Sequence, residues 1–234
     1  MTLDVLDEVG KLVRAFSSEA GAAQEMTPGT GDDEEEGPRR ARPAPRVPKE
    51  KGLNRFVWDL TYPGPRDGSG RVGGGGPTAV PGRYQLRLTV NGTPQTQPLV
   101  LREDPRVTKD GVTLADLRDQ FDHNVRVRDL VSDANRAVSR ARTADARLRD
   151  ATGAGADTLA KLRAIEAKLI TPSIRYSTPA LQSHITYLYG MTSQADQRVG
   201  RDAKERYTVL RRELDAVVAQ MNQLLGPDRQ TADR

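Results

Sequence analysis

One change of rhythm limits what this chain can fold into. Up to about residue 110, apolar side chains recur at every second position: Phe56, Trp58 and Leu60 in one stretch, then Tyr84, Leu86, Leu88 and Val90 in another. Beyond Thr113 they recur in steps of three and four. A period of two puts alternate residues on one face of a strand, whereas a period near 3.6 lays a stripe along a helix. A β part followed by a helical part is therefore expected, and 234 residues leave room for two domains of about 100 residues each.

The β part begins with Leu3, Val5 and Leu6, a turn at Asp7-Glu8-Val9-Gly10, then Leu12, Val13 and Phe16, which reads as a hairpin. A strand is expected over Gly52–Leu60, with Phe56, Trp58 and Leu60 on one face and Arg55, Val57 and Asp59 on the other. The tract from Arg66 to Gly76 ends in four glycines and reads as a loop unable to pack. No Gly-Lys-Ser/Thr follows it, so it is no phosphate loop. Pro81-Gly82 opens the next strand, Asn91-Gly92 predicts a tight turn with positive φ at both positions, and the strand returning over Gln95–Leu101 turns Leu99 and Leu101 inward. About five strands wired this way make a small antiparallel sandwich.

Asp104-Pro105 closes the β part, and Thr113 with Asp116 three residues on can cap a long helix reaching about Asp150. Gly153 and Gly155 interrupt the pattern. Two shorter helices follow, with stripes Leu159, Leu162, Ile165, Leu169 and Leu181, Ile185, Leu188. Tyr207, Leu210, Leu214, Val217, Met221 and Leu224 form a heptad seam that Gly226-Pro227 stops. Helices with one stripe each need partners, so the tail should be an antiparallel helical hairpin or bundle, and the seam is a surface a partner could use.

Charge narrows the functional classes. The net charge is +4, but residues 1–37 hold two bases against ten acids, while residues 38–51 hold six bases against one acid. Such an acidic block running into a proline-spaced basic one is expected to be a self-attracting disordered insertion, over about 18–50, and not a nucleic-acid arm. Hydrophobic residues at 36% fall below the usual ~45–50%, in keeping with that. Without a cysteine the chain has no disulfide, thiolate metal site or cysteine nucleophile. No apolar run approaches the ~20 residues of a membrane span, and no export signal is visible at Met1.

No constellation announces a reaction. His123 and His184 lack Cys, Asp or Glu at ligand spacing and are expected at helix surfaces or flanks, so neither metal nor cofactor is expected. Asp59 beside Trp58 could serve a sugar site, although Trp58 stands on the apolar face of its strand. Arg126, Arg128, Arg136, Arg140, Arg142, Arg147 and Arg149 could follow a phosphate backbone, but Asp119, Asp122, Asp129, Asp133, Asp145 and Asp150 are interleaved, which favours a solvated face of mixed sign.

In order along the chain, Leu3–Asp7 with Gly10–Arg14, the run Gly52–Leu60 (GLNRFVWDL), Pro81-Gly82-Arg83-Tyr84 and Asp104–Val107 resemble the C-terminal region of bacterial sortilin-like, Asp-box β-propeller proteins, often labelled glycosyl hydrolases. The helical tail, with Tyr187–Gly190, matches more loosely. The β part also resembles the immunoglobulin-like module of flagellar hook-capping proteins. The resemblance implies an α+β protein: an immunoglobulin-like β-sandwich over 1–106 with a flexible loop at about 64–78, a helical tail over 113–226, and a disordered end at 227–234. It makes Asn54, Arg55, Trp58, Asp59, Pro81, Gly82 and Tyr84 structural signature residues. The propeller and any active site would precede Met1, so no catalytic residue carries over. What is implied is an accessory module of an exported protein that stabilises or docks to the propeller or another protein; carbohydrate contact through Trp58 and Tyr62, or nucleic-acid binding by the arginine-rich helix, are the alternatives.

Overall fold

The computed structural model describes residues 1–19 and 45–228, so most of the expected insertion at about 18–50 lies outside the described residues. The order of elements is β1 (Thr2–Asp7), β2 (Leu12–Ser17), β3 (Gly82–Val90), β4 (Thr93–Leu101), α1 (Pro105–Lys109), α2 (Leu114–Leu148), α3 (Ala154–Leu169), α4 (Leu181–Ser193) and α5 (Arg201–Leu225). The fold is α+β, one four-stranded antiparallel sheet followed by helices. Two compact units form. The first gathers the described residues of Met1–Pro65, Arg71–Val125 and Ala195–Arg198; the second gathers Arg66–Gly70, Arg126–Gln194 and the described residues from Val199 on.

In the first unit the strands lie in the order β2-β1-β3-β4. The β1–β2 turn is made by Asp7, whose carboxylate Oδ1 accepts from the Val9 and Lys11 amides at 3.1 and 2.8 Å. Between β3 and β4, Asn91 and Gly92 have φ of 50° and 82°, the tight turn their sequence foretells. The register Val5↔Leu86, Leu3↔Leu88 and Tyr84↔Leu99 puts these residues on one face. There Val5, Val13, Phe16 and Tyr84 are buried with Val47 and Ala79, and Phe56, Trp58 and Tyr62 pack against them. On the other face Asp4 stands opposite Arg87 and pairs with it at 2.8 Å.

The segment expected as a strand over Gly52–Leu60 is not one. It runs without regular pairing across the apolar face of the sheet, with Phe56 and Trp58 turned in and Arg55, Val57 and Asp59 out. Alternation tells which side of an extended segment meets the core, but not what its backbone bonds to. Leu60, assigned inward, instead adopts φ of 59° and is 40% exposed.

The glycine tract also differs from its expectation. Gly73, Gly74 and Gly76 are buried, and residues 60–65 run back along 73–79. The Ala79 amide donates to the Leu60 carbonyl at 2.7 Å, Tyr62 to Pro77 at 2.9 Å, Gly64 to Gly73 at 2.8 Å and Gly73 to Pro65 at 2.9 Å. A Cβ added to Gly76 would stand 2.0 Å from the Tyr62 carbonyl oxygen, and one on Gly64 2.1 Å from that of Gly74. The glycines allow two backbones to approach more closely than any side chain permits.

Helix starts follow capping chemistry. Asp104 caps the short α1, unforeseen in the sequence, accepting from the Arg106 amide at 2.9 Å with Pro105 in the first turn. At α2, Asp116 donates its amide to Thr113 Oγ1 at 3.2 Å while Asp116 Oδ2 accepts the Thr113 amide at 2.9 Å, a reciprocal capping box. Gly153 (φ 58°) precedes α3, whereas Gly155 lies inside it and does not break it. In the second unit, Leu130, Ala134 and Ala141 of α2, Leu162 and Leu169 of α3, Ile185 of α4 and Leu210, Leu214 and Met221 of α5 share one buried core. The seam of α5 is thus consumed inside its own unit, and is not a surface for a partner.

Candidate functional site

The signature residues of the first unit are fastened to their own backbone. Asn54 closes the turn before it: its Oδ1 accepts from the Glu50 amide at 3.0 Å, and its Nδ2 donates to the Glu50 and Gly52 carbonyls at 2.8 and 3.1 Å. Arg55 points to solvent. Trp58 presents its ring at an angle of 64° to Tyr84, centroids 6.0 Å apart, and donates Nε1–H to the Thr61 carbonyl at 3.1 Å. Asp59 Oδ1 accepts from the Thr61 amide at 3.1 Å and from its hydroxyl at 2.8 Å, the short side-chain turn typical of aspartate. Pro81 and Gly82 lead into β3, and the Tyr84 hydroxyl reaches back over them to donate to the Val80 carbonyl at 2.8 Å.

Thr61 is the hub of this arrangement, and nothing in its sequence surroundings singles it out. Neither did it mark Arg14. That side chain is 3% exposed on the inner face opposite Val5, and its Nη1 donates to the Thr61 hydroxyl at 3.1 Å, the Tyr62 carbonyl at 3.3 Å and the Thr61 carbonyl at 3.4 Å. A buried guanidinium is tolerated because those oxygens replace part of its water and its Cζ lies 5.1 Å from the Phe16 ring centroid. Counting back by two from Phe16 puts position 14 on the inner face, but the charge of an arginine argues for the outside, and only the contact with Thr61 and Tyr62 explains its burial.

Next to the hub opens a cleft of about 510 Å³, lined by Leu60, Val80, Pro81, Val100, Leu101 and Phe121. The left-handed backbone of Leu60, a costly state for a branched side chain, holds it at the rim. Val100, 61% exposed, is another wall. At the polar end, Gln120 ties down the neighbouring segment, donating to the Ala195 carbonyl at 2.7 Å and accepting from the Gln197 amide at 3.1 Å. Tyr62 packs edge-on against Phe121 with centroids 4.8 Å apart. Both rings named for sugar contact, Trp58 and Tyr62, thus rest against aromatic residues of their own unit.

Titration behaviour matches a structural role. Burial pushes the Tyr62 and Tyr84 phenols above their ordinary range; Tyr62 adds to the rise at Tyr84 and Asp7 to both, while the bond with Tyr84 offsets part of the rise at Tyr62, so both phenols stay neutral. A side-chain bond from Arg106 pulls Asp104 down to about 2. Bonds from Arg198 and Thr113 hold Asp116 well below the carboxylate range. Such carboxylates are permanent acceptors, the opposite of what a general acid requires.

The remaining sequence candidates are dispersed. His123, expected at a surface or flank, is 1% exposed within α2, whereas His184 is exposed on α4. Among the described residues no group of three His, Asp or Glu side chains is placed to hold a metal ion, and no helix is long and apolar enough to cross a membrane. Of the arginines singled out in α2, Arg128 pairs with Asp129 at 2.7 Å, Arg136 pairs with Asp133 at 2.5 Å, and Arg126 lies over the Tyr207 ring at 5.7 Å. Compared with protein-family models, curated proteins and solved structures, the chain finds no match in any of the three.

Proposed function

We propose that this chain is a non-catalytic interaction module, the C-terminal part of an exported sortilin-like, Asp-box β-propeller protein, which docks to the propeller and stabilises it. On this reading the first unit is an immunoglobulin-like sandwich whose second layer has lost regular strand pairing. Supporting it, the Tyr84 hydroxyl closing on the carbonyl four residues upstream is the bond of a tyrosine corner, a device of immunoglobulin-like sandwiches.

The observation that carries the proposal is where the signature polar groups go. Asn54, Trp58, Asp59 and Tyr84 all form hydrogen bonds with backbone or hydroxyl groups within a few residues, which holds this surface in place. The surface so built is the cleft rimmed by Leu60 and Val100. Docking there would use side chains and not strand addition, because Pro94 and Pro98 interrupt the edge strand β4 and remove N–H donors from its free side.

The test is a calorimetric titration of the chain with a purified Asp-box propeller of the sortilin-like class. Saturable binding is expected, weakened about tenfold or more by Leu60→Asp and by Val100→Asp, because each would bury a charge against an apolar partner. Binding indifferent to both substitutions, or no binding at all, refutes the proposal.

A further inference from the structure

The second unit contains a different cleft, of about 500 Å³, whose chemistry is basic. Arg136, Arg140, Thr143 and Arg147 line it from α2, and their spacing of four, three and four residues puts them on one face of that helix. Ser139 adds a second hydroxyl. The opposite wall is apolar, with Leu225 and Pro227 at the end of α5.

The side wall is a fixed structure. The Arg66 amide donates to Ser132 Oγ at 2.9 Å, Asn135 Nδ2 donates to the Arg66 carbonyl at 2.8 Å, and the Arg66 guanidinium closes the loop on the Gly70 carbonyl at 2.9 Å. Gly68 of that loop lies so close to α2 that a Cβ there would stand 2.6 Å from Ser139 Cβ. Residues 66–70 are thereby clamped onto the helix next to the arginines.

The charge of these arginines is only partly answered. Arg136 is paired with Asp133. Arg140 donates to two neutral acceptors, Asn222 Oδ1 at 2.6 Å and the Gly226 carbonyl, which orient its guanidinium without neutralising it. Arg147 is exposed and ion-pairs with no acid among the described residues. The lining adds Asp228, and the two nearby helix C-termini each carry roughly half a negative charge, so what the cleft offers an anion is a set of oriented donors and not an excess of positive charge. A guanidinium offers five donors, so Arg140 keeps some for a ligand after serving Asn222 and Gly226.

We propose that this cleft binds a small organic anion, with Arg140, Thr143 and Arg147 holding a phosphate or carboxylate head and Leu148, Leu225 and Pro227 covering an apolar body. Its volume falls within the ~300–1,000 Å³ of small-molecule sites, and the preset Arg140 lowers the cost of ordering a fork of donors on the oxyanion. The proposal rests on the second unit alone and is independent of propeller docking.

The whole chain is titrated at low salt with pyrophosphate and, in a second arm, with citrate, followed by calorimetry and by amide shifts. Saturation near or below about 1 mM with at least one probe is expected, with shifts gathered at residues 139–148 and 225–228. The better probe identifies the head group as phosphate or carboxylate. Arg147→Ala should weaken binding about tenfold with the melting temperature unchanged, while Arg149→Ala, outside the lining, should leave it alone. No saturation with either probe, equal loss in both variants, or preferential binding of a single-stranded oligonucleotide that neither variant weakens, would overturn the assignment.

Discussion

The two units reach a buried core by opposite routes. The helical unit does it with repetition: Leu162, Ile185, Leu210, Leu214 and Met221 each sit on a stripe whose spacing the helix itself dictates, and all are 0% exposed. The sheet unit does it with particular contacts: aromatic rings laid across one sheet face, a buried arginine on three oxygens, and glycines where two backbones nearly touch. A core built by repetition tolerates the exchange of an exposed residue anywhere along it. A core built by contact fails at single positions that look unremarkable in the sequence, such as Gly76 or Thr61.

That contrast can be measured, because Trp58 is the only tryptophan and lies in the sheet unit, while circular dichroism follows the helices. Leu214→Ala should have the largest effect, about 4 kcal/mol, since it empties a fully buried site; helical dichroism should melt early while Trp58 fluorescence reports a smaller change. Simultaneous loss of both signals would show that the units fold as one. Gly76→Ala should cost about 3 kcal/mol in the opposite sense, because its Cβ would meet the Tyr62 carbonyl oxygen, which is backbone and cannot swing aside. A neutral result there would remove the close-approach account of the glycine run.

Smaller effects sharpen the comparison. Tyr84→Phe leaves the Val80 carbonyl without its donor and should cost about 2 kcal/mol, read by Trp58 fluorescence. It also alters the response to alkali. Tyr62 and Tyr84 have folded pKa values raised above 10.0, so their contribution is complete below pH 10 and is lost above it, where the unfolded phenols ionise first. Loss of stability of the sheet unit with rising pH should therefore be shallower in the variant. Tyr189, pushed up by burial to about 12, gives the helical unit a similar loss between pH 10 and about 12, which the variant should not change. Smallest, Thr113→Ala should cost about 1 kcal/mol by uncapping α2. Destabilisation on acidification should follow Asp116, whose depressed pKa means that its contribution is present above pH 3.8 and fades as pH falls through the lower folded value.

The candidate site was half legible. Trp58, Asp59 and Tyr84 could be picked out because bulky aromatics and a Pro-Gly turn advertise themselves at short range, and each turned out to bond within four residues. Arg14 and the ladder of residues 60–65 on 73–79 could not be picked out. Arg14 meets Thr61 from 47 residues away, and a glycine run is read as slack when nothing says that another backbone will lie on it. For the same reason the α5 seam could be recognised as apolar but not assigned to the protein's own core.

By itself, the sequence determined what lies within one turn or one strand of each residue: the helix stripes, the capping box at Thr113 and Asp116, the Asn91-Gly92 hairpin, and the inward side of Phe56 and Trp58. Only tertiary structure decided which backbones pair, that Gly52–Leu60 covers a sheet instead of joining it, that Leu60 turns out to a cleft, and that Arg140 is set among neutral acceptors. Local order is fixed by dihedral preference and side-chain period, which a short window contains. Pairing and burial depend on segments tens of residues apart meeting in space, and that information is spread over the whole chain.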